Sequence, residues 1–172
     1  NASPTIFETT HYNWQTLATR FREMCFLNKG LTIKLVDRRP ADSAPEPDDV
    51  DGLGDFVDDV DGHEKEVTFR SDDGLIDFVK YLTGTKDTIH PTVIAIDADA
   101  PDNRLSLEVA MQWNASFTES VHTFANAINT HEGGTHEEGF RAALTNTVNR
   151  WGETWGLIKK REDRVSGDDI RE

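Results

Sequence analysis

The chain carries a single cysteine, Cys25, so it has no internal disulfide, and a reducing compartment, the cytoplasm, is the expected setting. It lacks any run of 18 apolar residues, so no membrane-spanning helix and no membrane partner are expected. Its first residues lack the basic-then-apolar pattern of a secretory signal. It opens on Asn1 instead of a methionine, from which a piece of a longer protein is expected. Bases are also scarce: 18 Lys and Arg face 32 Asp and Glu, for a net charge of −14. Most of that surplus is local. Asp42 to Glu66 holds eleven acids and one lysine, and elsewhere 21 acids face 17 bases. A body of that balance lacks the overall basic character that drives nucleic-acid binding, so any such contact must come from a local patch or a neighbouring chain.

What is present reads as one mixed domain or two partial ones. Asn13 precedes WQTLATRFREMCFL, in which Trp14, Leu17, Phe21, Met24 and Cys25 recur at helical spacing. Asn13 suits the N-cap, and Asn28 with Gly30 the end. Cys25 reads as a small core filler on this helix. LTIKLVD sets Leu31, Ile33 and Leu35 against Thr32, Lys34 and Val36, a half-buried strand. The acidic stretch follows, with few apolar groups to offset the entropy of ordering it, so residues 40–65 are expected to be a disordered loop. Calcium-loop alignments on Gly52 or Gly62 fail, because Asp58 or Thr68 then falls where a bidentate Glu belongs. VTFR re-enters the sheet, and Asp72 or Asp73 caps GLIDFVKYL, with Leu75, Ile76, Val79 and Leu82 on one face. TVIAID, LSLEVAMQW and SVHTFANAI read as strands. The class is α/β, an α+β fold with a mixed sheet.

The stretch NTHEGGTHEEGFRAALTNTVNRW, Asn129 to Trp151, has the densest chemistry. A helical zinc site needs two histidines four apart, whereas His131 and His136 are five apart across Gly133 and Gly134. A phosphate loop needs a lysine, and here Glu132, Glu137 and Glu138 would repel an anion. A helix start explains more: Gly133 and Gly134 permit a sharp corner, and Thr135 with Glu138 forms a capping box. Phe140, Leu144, Val148 and Trp151 then supply a stripe to bury. Arg141 lies off that stripe, in the first turns, where the helix dipole slightly disfavours a cation. It is either paired with Glu137 or Glu138 or aimed at an anion outside the chain.

The string MQWNASFTESVHTFANAINTHEGGTHEEGFRAALT, Met111 to Thr145, closely resembles the B-subunit family of bacterial DNA gyrase, the ATPase subunits of type II topoisomerases. REMCFLNKGLTIKLVDRR, IHPTVIAID and SGDDIRE match the same family in the same order. An acidic insertion after LTIKLVDRR is similar to gyrases of actinobacteria. The resemblance implies that residues 1–39 end a GHKL ATPase domain. Residues 40–65 would be an acidic insertion, and 66–172 a transducer domain like the second domain of ribosomal protein S5, incomplete at its C-terminus. It implies ATP and Mg2+ as cofactors in the full-length protein and none for these residues, since the family's ATP-site motifs are absent here and its Gln-Thr-Lys loop is expected beyond Glu172. No catalytic, cofactor-binding or metal-ligating residue is therefore assigned, and the isolated piece is expected to be inactive.

As a whole the family is implied to be an isomerase that negatively supercoils DNA. Its implied partners are DNA, the gyrase A subunit in an A2B2 heterotetramer, and a second B subunit. This piece would couple ATP-driven dimer closure to strand passage. Arg141 matches an arginine facing the cavity that holds the transported duplex, and Gly133, Gly134, Thr135 and Glu138 shape the start of its helix. The alternatives are the ATPase subunit of topoisomerase IV and a non-enzymatic module that binds a basic partner through Asp42–Glu66.

Overall fold

The computed structural model describes residues 10–39, 65–100, 104–116 and 118–171, with residues 3, 5, 6, 8 and 102. The expected disordered loop and the calcium-loop alignments fall outside the described residues, except at their C-terminal margins. The chain divides into two compact units: Asn1–Leu82 with Ile94–Ala110, and Thr83–Val93 with Met111–Glu172. Both mix helix and strand, so the class is α+β as the sequence implies.

The first unit is a helix laid on a strand pair. Helix α1 spans Trp14–Leu27, and Asn13 caps it: its side-chain oxygen accepts from the Thr16 amide at 3.0 Å. At the other end the Asn28 amide donates to the Met24 carbonyl at 2.8 Å, and Gly30 turns the chain at φ +80°. Strands β1 (Thr32–Asp37) and β2 (Lys65–Arg70) form an antiparallel ladder running from Thr32 opposite Arg70 to Asp37 opposite Lys65. The sequence places a domain boundary in the interval between these strands, and the ladder joins its two sides. Ala18, Cys25 and Phe69 are buried together, with Phe21, Ile33, Leu35 and Val67 packed around them. The Cys25 thiol donates to the Phe69 carbonyl at 3.5 Å, and burial pushes its pKa up, so it stays an inert core group.

Helix α2 spans Leu75–Thr83. Its start differs from the expected aspartate cap. The Ser71 hydroxyl accepts from the Gly74 amide at 2.9 Å and donates to Asp77 at 2.8 Å, and Asp77 also accepts from the Asp73 amide at 3.1 Å. Asp72 turns away to bond Arg70. The Ser71 hydroxyl stands three residues before the Gly74 amide, the spacing at which a capping oxygen meets an orphan amide at a helix start, and Gly74 itself is left-handed at φ +64°. Phe78, absent from the expected apolar face, is the buried residue of α2 and stacks on Phe26 at 5.1 Å. Strands β3 (Ile94–Ala100) and β4 (Leu105–Met111) pair with one another and complete this unit, apart from Met111.

In the second unit, residues 87–89 run antiparallel beside 113–115, through a bridge between Thr88 and Asn114. His90 fastens this pair, with Nδ1 2.7 Å from the Thr92 carbonyl and Nε2 accepting from the Trp113 amide at 3.1 Å. The strand expected over Ser120–Ile128 is instead a small hairpin. Strands β5 (Phe124–Ala125) and β6 (Ile128–Asn129) are joined by Asn126 and Ala127, both left-handed at φ 50° and 64°. Two successive positive φ values are what a two-residue hairpin demands, and they break the strand that alternation suggests. Helix α3 (Thr135–Thr154) and the short α4 (Gly167–Arg171) follow.

Candidate functional site

The hairpin delivers the chain to the glycine corner. The Thr130 amide donates to the Thr123 carbonyl at 2.9 Å, and the two threonine hydroxyls lie 2.7 Å apart, closing the base of the hairpin. The Gly133 amide then donates to the Thr130 carbonyl at 2.8 Å, with Gly133 left-handed at φ +73°. Gly134 is the N-cap of α3, with no side-chain cap.

The Thr135–Glu138 capping box does not form. Helix α3 begins one residue earlier than that box requires, so Thr135 is already its first helical residue and the Glu138 amide donates to the Gly134 carbonyl at 3.0 Å. The expected stripe is also looser than a buried face. Phe140, Leu144 and Val148 are half-buried, Trp151 is 44% exposed, and the buried residue of α3 is Asn149.

The histidines are dispersed in role. His136 Nε2 lies 3.3 Å from the Thr130 hydroxyl, His122 Nε2 lies 3.3 Å from the Ser120 hydroxyl, and His131 is exposed. Among the described residues no three His, Cys, Asp or Glu side chains gather as a metal site would require. The corner does not suit a phosphate either. A Cβ added at Gly133 would sit 2.8 Å from Glu137 Oε2, so the space beside the first turn is already taken by a carboxylate.

The polar chemistry centres on Arg141. Its Nε donates to Glu137 Oε1 at 2.8 Å, one helical turn back, and its Nη1 donates to Glu119 Oε2 at 3.0 Å. Burial opposes the charge, but the hydrogen bonds from Glu119 and Glu137 outweigh it and raise the Arg141 pKa, so the guanidinium is charged at any working pH. Glu119 is shared: Arg171 Nε of α4 lies 2.9 Å from its Oε1, and Arg171 Nη2 lies 2.6 Å from Asp168. The shared pair is close but poorly aimed, and both Glu119 Oε1 and Arg171 Nε are buried without a hydrogen bond among the described residues. Two cations thus face three carboxylates here.

Segment 165–171 is held on α3 and its neighbours mainly by polar groups. The Asn149 side chain donates to the Val165 carbonyl at 2.9 Å and accepts from the Val165 amide at 3.0 Å. Trp113 Nε1 donates to the Ile170 carbonyl at 2.6 Å, and Ile170 is buried. Sequence reasoning found Arg141 and one of its partners, because Glu137 lies four residues before it on one helical face. It missed Glu119, Asn149 and Arg171. Glu119 lies 22 positions from Arg141, and Asn149 lies 16 from Val165, separations where no periodicity reaches.

Comparison with known proteins agrees with this architecture. The sequence profile of the family described as DNA gyrase B matches residues 74–172. The chain is 50% identical, over 99% of its length, to the novobiocin-sensitive DNA gyrase B subunit of Streptomyces niveus. It is 49% identical, over 97% of its length, to the DNA gyrase B subunit of Streptomyces coelicolor. It covers 25% and 24% of those proteins, so it spans about a quarter of the length of the curated relatives it matches. In fold it is similar to the crystallised 43K ATPase domain of Thermus thermophilus gyrase B, with a TM-score of 0.73 and 24% identity over 99% of this chain and 40% of that one. A chain half-identical to gyrase B proteins along nearly its whole length, with that family's profile across its last hundred residues, belongs to the DNA gyrase B family.

Proposed function

We propose that these residues work inside a gyrase B subunit, passing an ATP-driven closure of two B subunits on to the strand-passage machinery. The observation that carries this reading is the 50% identity, over 99% of the chain, to a protein named as a DNA gyrase B subunit. The whole protein is then part of an ATP-dependent type II topoisomerase, an isomerase that negatively supercoils DNA in the cytoplasm. Its cofactors are ATP and Mg2+, and its partners are DNA, the gyrase A subunit in an A2B2 assembly and the second B subunit. Residues 1–39 belong to the end of the ATPase domain, 40–65 to the acidic insertion and 66–172 to the transducer.

Physically the step is a domain rotation triggered by contacts to a nucleotide held elsewhere in the protein. The Glu137 carboxylate speaks against a phosphate at the glycine corner itself. The 172-residue chain alone is expected to show no ATP turnover, measured with the purified chain; turnover above background would overturn that assignment. Gly133, Gly134, Thr135 and Glu138 shape the corner that presents Arg141, and Arg141 faces the cavity that receives the transported duplex. Three carboxylates stand around Arg141 and Arg171, so removing Arg141 leaves a local surface that repels phosphates.

Gyrase is favoured over topoisomerase IV by the names of the relatives, and over an acidic binding module because the similarity runs along both sides of the acidic segment. The direct test reconstitutes a full-length B subunit carrying this sequence with the gyrase A subunit. ATP-dependent negative supercoiling of relaxed plasmid is the expected result, and relaxation without supercoiling would refute the gyrase assignment.

A further inference from the structure

The shared position of Glu119 has no role in the reading above. It stands in the segment before the β5–β6 hairpin, and two arginines from different helices converge on it: Arg141 of α3 at 2.7 Å and Arg171 of α4 at 2.9 Å. Glu137 already takes the Nε and Nη2 side of Arg141, which leaves Nη1 to Glu119. Glu119 thus links the orientation of Arg141 to the docking of α4. The pair it makes with Arg171 is buried and poorly aimed. Such a contact costs desolvation without a full hydrogen bond in return, so it is a weak source of stability. It sits where Gly167 leaves room for it: a Cβ there would lie 2.7 Å from Arg171 Nη1 and 3.1 Å from the Thr145 hydroxyl. Thr145 in turn donates to the Arg141 carbonyl at 2.9 Å, so this crowding occurs one turn from Arg141 itself.

We infer that Glu119 is a positioning residue for Arg141: it holds the guanidinium in place and ties that placement to the docked state of α4. This rests on the proposed DNA-facing role of Arg141. When α4 is docked, Arg171 and Arg141 share one carboxylate, and the Arg141 side chain is held from two directions. When α4 lifts, Glu119 loses one of its two cations and Arg141 becomes the sole owner of that carboxylate. Movement of the C-terminal segment is thereby felt at Arg141 through a single side chain.

The test is an epistasis experiment in the full-length B subunit, assembled with the gyrase A subunit, reading DNA-stimulated ATP turnover for Glu119→Gln, Arg141→Gln and the double variant. Glu119→Gln alone should lower the DNA-stimulated rate by roughly three- to tenfold, the loss of a charge-assisted contact. In the Arg141→Gln background it should have no further effect, because its influence runs through Arg141. Glu119→Asp, whose carboxylate is one methylene shorter, should restore part of the rate. Amide hydrogen exchange at residues 167–171 should rise in Glu119→Gln and stay near the wild-type level in Arg141→Gln. Three results would overturn the inference while Arg141 keeps its role: Arg141→Gln loses stimulation but Glu119→Gln does not, the two losses multiply in the double variant, or exchange at 167–171 is unmoved by Glu119→Gln. If Arg141→Gln itself leaves stimulation intact, the DNA-facing reading of Arg141 fails, and this inference fails with it.

Discussion

The two compact units solve the same problem by different means. In the first, helix α1 closes over the β1–β2 ladder through a cluster of apolar side chains around Cys25 and Phe69. In the second, residues 165–171 are held by the Asn149 side chain of α3, the Trp113 N–H and a shared carboxylate, with Ile170 as the buried hydrophobe. Apolar packing is non-directional and tolerates small shifts, whereas polar contacts are directional and sensitive to them. In a protein read as a relay between nucleotide and DNA, the second design belongs where movement is transmitted.

Truncating the first unit's core should break this comparison most severely. Phe69→Ala removes a side chain 6% exposed and should cost about 3–5 kcal/mol, measured as a lower urea midpoint, while amide exchange at 165–170 is little changed. Asn149→Ala strikes the second unit. It strands the amide and carbonyl of Val165 and should cost about 2 kcal/mol, seen as faster exchange at 165–170, with Asn149→Leu unable to rescue it. The smallest effect is on pH dependence. Burial pushes the Asp77 pKa up, but the Ser71 hydroxyl, the Asp73 amide and Lys80 outweigh burial and hold it below the ordinary carboxylate value. Its stabilising contribution is therefore complete above about pH 4, the unfolded value, and is lost as pH falls through the lower folded one. Acid titration of stability should be shallower in Asp77→Asn than in the wild type.

Elements with long, regular patterns were legible in the sequence. The α1 helix and the Ile33–Leu35 face of β1 followed from spacing, because apolar burial imposes a period, and the Asn13 cap followed from its residue type. The Ser120–Ile128 reading failed because Asn126 and Ala127 take up left-handed turn conformations that alternation cannot register. The Ser71 cap was missed because a serine and two aspartates precede the helix, and spacing does not say which oxygen takes the Gly74 amide. At the candidate site, Arg141 and Glu137 were visible as a helical pair, whereas Glu119 and Arg171 meet only through tertiary folding. Periodicity reports which face is buried, and a polar clasp between distant residues leaves no period to detect.

The central claim is that Arg141 answers to DNA, with its acidic partners serving to hold it. Arg141→Gln in the full-length protein, assayed for ATP turnover with and without duplex DNA, tests it most directly. The DNA-stimulated rate should fall by roughly tenfold, and by more than the basal rate. An equal fall in both rates, or no fall in either, would contradict it.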